Sequence, residues 1–540
     1  MQGYTDIPAM HCVTPCQNAL WDKMIGHGHG LARGHERPNS EYLEPSMDNH
    51  QIQQATDRIL EHPVVTRLKS AMSEASCPSL YLVGGALRDG WLGRETRDFD
   101  LVVPGEARTV AQHIAAVLDA RYVLLDEDWG VARLVWSPPG NGPDSVHLDF
   151  ASMRGEGIQD DLRQRDFTCN AMAMRIGPDG EDLTPTWEDP TGGTRDLRAR
   201  LIRMVHPARL REDPLRLIRA FRLACTLEFQ IERLTFDAIH AARNGILSVA
   251  AERTRDELFK IFACPDSLAW ILQMDETGLL TTVFPEIQGL KGLQQGKFHH
   301  LDAWNHTLEA YRILEQGCRT GLADLAPWDR ELKGWLDKPQ DVLPLLKAAL
   351  LFHDIGKPGT CTVDAEGEPH FYGHAAKGAD IAAEAMRRLR TSRNEEERTK
   401  KWVRYHMGPV HMMRAMEADH LTEKAKIRFL RRLGDDVPGM LLVSLADFLA
   451  TAGPSATGDR KKAFFGLLGS LLELYFRRDA ASIGGKNLVT GKDLMDALGI
   501  PPGPEVGRLL RLLEEARVEG EVTNRDEALR LAESLVEGKR

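Results

Sequence analysis

Tyr81–Val103 reads YLVGGALRDGWLGRETRDFDLVV. The apolar run Tyr81-Leu82-Val83 has the composition of a buried strand, and it breaks at Gly84-Gly85 into a helix-like stretch from Ala86 to Leu92. A strand, a glycine turn and a helix N-terminus present backbone N–H groups to anionic phosphate oxygens. A second strand follows, carrying Asp98-Phe99-Asp100. Side chains alternate along a strand, so Asp98 and Asp100 share a face while Phe99 turns to the core. Two carboxylates so placed can hold Mg²⁺, a hard cation that prefers oxygen ligands. A pair of such ions polarises phosphate oxygens and activates a hydroxyl for in-line attack. A Gly-Gly turn or an Asp-x-Asp alone is usually a solvated loop or strand end. Together in one short segment, with Arg88 between them, they outline a phosphoryl-transfer site.

The 540 residues suffice for three or more domains, and 42% hydrophobic with 27% charged residues is the composition of a soluble protein. The longest apolar stretches, such as Met440–Leu449, carry polar or charged residues, so no membrane span is expected. No basic segment leads into an apolar one at the N-terminus, which argues against a signal peptide. The eight cysteines are scattered without a CxxC pair, arguing against a disulfide framework or zinc ribbon and for a reducing cytoplasm. The net charge of −11 is unusual for a nucleic-acid enzyme. Binding needs only a local basic surface, however, and Arg195–Arg222 holds nine arginines against three acids.

Residues 1–50 mix Gly, His, Pro and Asn without periodicity and are expected to be disordered, with a first helix near Gln51–Leu60. The His27-Gly28-His29 region has a metal-binding composition, but a floppy tail is the better account of it. From Ser79 to Met174 the segments YLVGG, DFDLVV, RYVLLD, ARLVWS, VHLDFA and CNAMAMRI alternate with helical ones, as in a small α/β domain with a mostly buried sheet. After Arg195 the pattern is helical, apart from Gly- or Pro-rich loops near 285–297, 356–369 and 484–505. The expected fold class is α+β: a mixed-sheet α/β head at 51–195, a helical neck at 196–288, a helical domain at 289–480 and a helical tail at 481–540.

Downstream, Arg165, Asp166 and Asn170 at a sheet edge could grip ribose hydroxyls and phosphates, or serve as a helix cap with surface charge. Asp149 in VHLDF is a candidate third carboxylate, with a capping role equally open. In Arg211–Arg222, REDPLRLIRAFR, Pro214 suits the first turn of a helix and Asp213 its N-terminal end. Asp213 and Arg216 then lie one turn apart. A carboxylate accepts from the amino groups of cytosine or adenine while a guanidinium donates to their ring acceptors, so this pair has the chemistry to read C and A and reject U and G. A surface ion pair is the plainer alternative. Arg219 and Arg222 wind around the helix, which suits phosphate or helix contacts better than base reading.

Gly84-Gly85-Ala86-Leu87-Arg88-Asp89 with Asp98-Phe99-Asp100 resembles motif A, GGxxRD then DxD, of the nucleotidyltransferase superfamily. The version is that of class II tRNA CCA-adding enzymes and bacterial poly(A) polymerases. Arg165–Ala171, RDFTCNA, resembles motif B, RRDxxxNA, with Gln164 replacing the first arginine. Asp196–Arg203 resembles the third motif, which links head and neck, and Glu212–Arg216 resembles EDxxR, whose Asp and Arg act as a protein template for the incoming base. Ala251–Phe262 looks like the neck helix that follows. The resemblance spans Ser79 to Phe284. It implies that Asp98 and Asp100 are catalytic and hold Mg²⁺, and that Gly85, Arg88, Arg165, Asp213, Arg216, Arg219 and Arg222 contact the nucleotide. The substrates it implies are CTP, ATP and the 3′ end of tRNA. Relatives that add the whole CCA carry a longer flexible loop between Asp149 and Asp161 than the FASMRGEGIQD found here, and a shortened loop goes with CC-adding enzymes.

His306, His353-Asp354 and Asp447 lie on separate helix-like segments, and imidazoles and carboxylates from several helices can converge on one divalent ion. The set resembles the HD phosphohydrolase superfamily, which is appended to CCA-adding enzymes of one bacterial group; His374 and His406 are further candidates for a second ion. That resemblance implies phosphatase or 2′,3′-cyclic phosphodiesterase activity. Leu488–Val522, with its Gly-Ile-Pro-Pro-Gly turn, resembles the tRNA-holding tail of the same enzymes. The expected function is a Mg²⁺-dependent, template-independent nucleotidyltransferase that builds the 3′ CCA end of tRNA, with addition of CC alone as the alternative, and that carries an HD phosphohydrolase domain, without membrane or obligate protein partner. Poly(A) polymerase, or an HD phosphohydrolase with an RNA-binding transferase-like head, are the rivals.

Overall fold

A computed structural model describes residues 45–127, 130–137, 145–179, 186–296, 300–321, 323–337, 342–452, 458–477, 488–519, 522 and 524–537. Residues 1–44, including His27-Gly28-His29, therefore lie outside the described part. The first described helix is Pro45–Leu60, longer at its start than the expected Gln51–Leu60. The chain falls into two compact units, one within 1–261 and 269–283, the other within 262–268 and 284–540.

The first unit is built on a seven-stranded sheet in the order β3-β4-β5-β2-β1-β6-β7. Its strands are β1 (Leu80–Val83), β2 (Asp98–Val103), β3 (Arg121–Asp126), β4 (Val131–Trp136), β5 (Val146–Ser152), β6 (Ala173–Ile176) and β7 (Trp187–Glu188). β2 and β5 run parallel, and the other pairings are antiparallel. The helix Ala107–Leu118 buries Val110, Ala111, Ile114 and Leu118, while alternation along the strands sends Phe99, Leu101, Leu134, Leu148 and Phe150 inward. The sheet is less buried than its sequence suggests. β3 is an edge strand, and Leu124 and Leu125 stay 42% and 49% exposed because nothing pairs its outer side among the described residues. After the head, helices follow, interrupted by two short pairings that the helical pattern hides: Leu201–Ile202 with Gln230–Ile231, and Thr362–Val363 with Pro369–His370.

In the second unit, Ala303–Thr320 packs against Val342–Phe352 and Val437–Ala452, and His374–Arg388 packs against Arg393–Tyr405. Val342–Phe352 reads VLPLLKAALLF and every one of its side chains except Leu343 is buried, as expected for a helix apolar on nearly all sides. The terminal helices Gly491–Leu498, Pro504–Glu519 and Arg525–Glu537 share a small core of Leu494, Leu509, Leu513, Ala528 and Ala532.

Candidate active site and metal centre

The parallel register sets Asp100 opposite Asp149 and Asp98 opposite His147. Three carboxylates thus rise from one face of two neighbouring strands. Burial raises the Asp100 carboxyl; Arg165 opposes this, and Asp149 and Asp98 add to it. These carboxylates could hold a divalent cation. Gly84 has φ +70°, and a Cβ there would stand 2.7 Å from Asp100 Oδ2 and 3.3 Å from Arg165 Nη1, so backbone conformation and space both call for glycine. The helix Gly85–Leu92 begins at this point, and the Gly85 N–H donates to Asp100. The outer carboxylates have protein partners: His147 Nδ1 lies 2.9 Å from Asp98 Oδ1, and Arg133 grips Asp149 with two bonds of 2.7 Å.

Arg165 Nε donates to Asp161 Oδ1 at 3.2 Å. Arg88 is held by Asp89 at 3.0 and 2.9 Å and by Asn170 Oδ1 at 2.7 Å. Asp166 is the joint between head and neck. It accepts from the Phe167 N–H, Asn170 and Arg219. Arg219 also lies 3.7 Å from Glu257, which accepts from Arg222 at 2.8 Å. The third motif makes a second joint, since Asp196 accepts from Thr168 and Arg203, and Arg203 reaches Glu232 at 2.6 Å.

Burial acts to raise the Asp166 carboxyl, but Arg219, the Phe167 N–H, Arg216 and Asn170 together hold it below the usual carboxylate range. A carboxyl depressed on folding adds stability above its unfolded pKa of about 3.9, and that stability is lost as pH falls through the folded value. Asp166→Asn is therefore expected to destabilise the protein at pH 7 and to unfold with a shallower pH dependence below about pH 4. Acid titrations followed by circular dichroism check this; parallel curves would count against it.

Asp213 and Arg216 do not form the surface ion pair that their spacing allows. Asp213 lies just before the helix Leu215–Leu227, its Oδ1 accepting from the Leu215 N–H at 3.4 Å and its Oδ2 accepting from Arg253 at 3.2 Å. Arg216 Nη1 donates to Arg209 O at 3.2 Å, while its Nε is buried without a hydrogen-bond partner. A buried orphan donor costs free energy unless something completes it.

In the helical unit, two sets of three ligand atoms each lie within 4.8 Å of one another: His306, His353, Asp354 and Asp354, His374, His406. Asp354 serves both, with Oδ2 3.2 Å from His353 Nε2 and Oδ1 3.5 Å from His374 Nε2. Asp447 Oδ1 stands 3.0 Å from His306 Nε2. His353, His374 and His406 donate Nδ1–H to the carbonyls of Leu350, Phe371 and Val403 at 2.8, 2.8 and 2.7 Å. Those bonds leave Nε2 to face inward, the arrangement metal-binding histidines use. The donor set fits two divalent ions sharing one aspartate. Burial acts to lower the His353 imidazole, yet Asp354 and Asp447 push it up to about 10. Burial lowers His406 to about 3, and both carboxylates sit well below their usual range against burial, held by neighbouring histidines and, for Asp354, by Lys357.

Several functional partners escaped the sequence reading. Lys357, which joins Asp354 to Gln295, had a local signal in its i,i+3 spacing from Asp354. Arg133, His147 and Glu257 had none, since each acts on residues distant in sequence.

A nucleotidyltransferase head followed by helices with a histidine–aspartate metal centre defines the class. Family models match in the same order: a poly(A) polymerase head domain at 80–203, a "Probable RNA and SrmB-binding site of polymerase A" at 228–290, an HD domain at 303–451 and a tRNA nucleotidyltransferase domain 2 at 484–532. The A-adding tRNA nucleotidyltransferase of Deinococcus radiodurans is 35% identical over 84% of this chain and 94% of its own. The CC-adding enzyme of Thermus thermophilus is 33% identical over 83% and 91%. The chain belongs to the class II tRNA nucleotidyltransferase family, in its form with an HD domain. The fold agrees: a CCA-adding enzyme in complex with CTP superposes with TM-score 0.56 at 20% identity, covering 90% of this chain and 98% of that one. No described helix is long and apolar enough to cross a membrane.

Proposed function

We propose that this tRNA nucleotidyltransferase adds the two cytidines of the CCA end and leaves the terminal adenosine to another enzyme. The observation that carries this is the connection between β5 and the helix Ile158–Arg163, which is only residues 153–157. In the family a short connection here goes with CC addition, because the longer loop is what switches the site from C to A. Identity does not choose, since the A-adding and CC-adding relatives stand at 35% and 33%.

In this reading Asp98 and Asp100 hold Mg²⁺, with Asp149 a third carboxylate beside them. Bound there, Mg²⁺ offsets the charge that develops when the tRNA 3′-hydroxyl attacks the α-phosphorus of CTP and pyrophosphate leaves. Gly85 offers a backbone N–H, and Arg88 and Arg165 offer positive charge beside the carboxylates. Asp213 and Arg216 read the base, Arg216 through its unpartnered Nε and Asp213 as acceptor for an exocyclic amine. Arg219 and Arg222 hold the reading helix against Glu257 and Asp166, so their contribution is to its position as well as to the nucleotide.

The division of labour follows the boundaries at 51–195 for chemistry, 196–288 for base reading, 289–480 for the HD site and 481–540 for holding tRNA. His306, His353, Asp354 and Asp447, with His374 and His406, hold divalent ions. Such ions activate water for phosphate-ester hydrolysis, so this site is a phosphatase or 2′,3′-cyclic phosphodiesterase. With tRNA and CTP as substrates, and the described cysteines free, this reading has the protein working in the cytoplasm.

The test supplies Mg²⁺, CTP and ATP with either tRNA lacking its last three nucleotides or tRNA ending in CC. Growth by two on the first and none on the second is the expected result. Growth by three, addition of one A to the second, or a long A tail would each replace this reading with CCA-adding, A-adding or poly(A) activity respectively.

A further inference from the structure

Tyr372 lies on the chain between the HD centre's His374 and the short pairing of Thr362–Val363 with Pro369–His370, and it is 79% exposed. Nothing in the family motifs accounts for so large an aromatic surface there. Its surroundings are ordered by several independent contacts. The His370 ring stacks on Tyr372 with centroids 5.5 Å apart and an interplanar angle of 13°. His370 Nε2 is 2.7 Å from Asp364 Oδ2, and Asp364 Oδ1 in turn accepts from the N–H groups of Glu366 and Glu368 at 3.1 and 2.8 Å. On the other side, Phe371 packs 5.7 Å from the Lys357 ammonium that holds Asp354, and its carbonyl accepts the His374 Nδ1–H. Tyr372 is therefore tethered between a residue packed on the bridging aspartate's lysine and a metal-ligating histidine. Its Cα can stand at most about 7 Å from that of His374, because two residues reach no further.

Tyr372 is the exposed aromatic that the chain brings to within two residues of a candidate ligand of this centre. Stacking on a pre-ordered aromatic is how proteins hold a nucleobase without reading its edge. We infer that Tyr372, backed by His370, is the base-stacking platform of the HD site, which selects nucleoside phosphates over phosphate esters without a base. The inference rests on the hydrolase reading of that centre. In the reaction concerned, water attacks the phosphorus of a nucleoside 2′-phosphate, the bond from phosphorus to the ribose 2′-oxygen breaks, and that oxygen takes a proton. The products are nucleoside and inorganic phosphate.

Full-length protein with Mn²⁺ would be given adenosine 2′-phosphate and, as an ester of a secondary alcohol lacking a base, glycerol 2-phosphate. Wild type should favour the adenosine ester, and Tyr372→Ala should lower the ratio of the two kcat/KM values about tenfold through KM, whereas Tyr372→Phe keeps it. Equal kcat/KM on the two esters in wild type, or an unchanged ratio in Tyr372→Ala, would overturn the platform. If wild type hydrolyses neither ester, the hydrolase reading fails by itself. Mn²⁺-dependent binding of adenosine 2′-phosphate by equilibrium dialysis then decides: about tenfold weakening in Tyr372→Ala upholds the platform, and equal binding rejects it.

Discussion

Asp100→Ala is expected to lower nucleotide addition about 10³-fold, or about 4 kcal/mol of transition-state stabilisation. Incorporation of labelled CMP into tRNA lacking its last three nucleotides measures it. Asp100 stands at the centre of the carboxylate face, opposite Asp149 and two residues from Asp98, so no neighbour can take over its position. The fold should not suffer. A carboxyl whose pKa is raised on folding costs stability once ionised, so at pH 7 its removal should leave the melting temperature unchanged or higher. Asp98→Ala should behave alike in activity. Hydrolysis of a phosphate ester at the HD centre should persist in both, because His306, His353, Asp354 and Asp447 belong to the other compact unit. Residual addition above a tenth of wild type would remove Asp100 from the reaction, and parallel loss of hydrolysis would contradict two separate centres.

The second large effect concerns stability. Lys347 is wholly buried, and its ammonium donates to Glu315 Oε1 at 2.6 Å and to Ser267 Oγ at 3.1 Å. Glu315 also accepts from the N–H groups of Ser267 and Leu268 at 2.6 and 3.2 Å. The group thus fastens the 262–268 segment onto the helices Ala303–Thr320 and Val342–Phe352. Lys347→Met leaves Glu315 buried without its counter-charge, which costs about 3–5 kcal/mol. The melting transition should fall by about 10 °C. Adding Glu315→Gln should recover part of the loss, since it removes the buried charge while the amide oxygen still accepts from the Ser267 N–H. A fall of less than about 2 °C in Lys347→Met would show the pair to be dispensable.

Much of the head was legible because its signals are local. The strand β1, its glycine turn and the DxD strand carry their pattern within one segment, and alternation alone puts Asp98 and Asp100 on the same face. The four HD residues were legible as residue types, and the helix Leu215–Leu227 by Pro214 and its arginines. What could not be read was which groups meet. Arg219 and Arg222 suited either phosphate or helix contacts, and which of the two was not legible; they are engaged by Glu257 and Asp166. Asp213 suggested a partner one turn along its own helix and faces Arg253 instead.

The sequence by itself determined the α+β class, the order of head, neck, HD helices and tail, and the chemistry available at each site. Those follow from periodicity and from residue types within a few positions of one another. Only the tertiary structure decided that Asp149 sits opposite Asp100, that Asp354 is shared by two sets of histidines, that Asp166 joins head to neck, and that Arg216 keeps a donor unpartnered. Each depends on strand register or helix packing between residues far apart in the chain, where long-range burial and electrostatics choose the partners and local pattern does not.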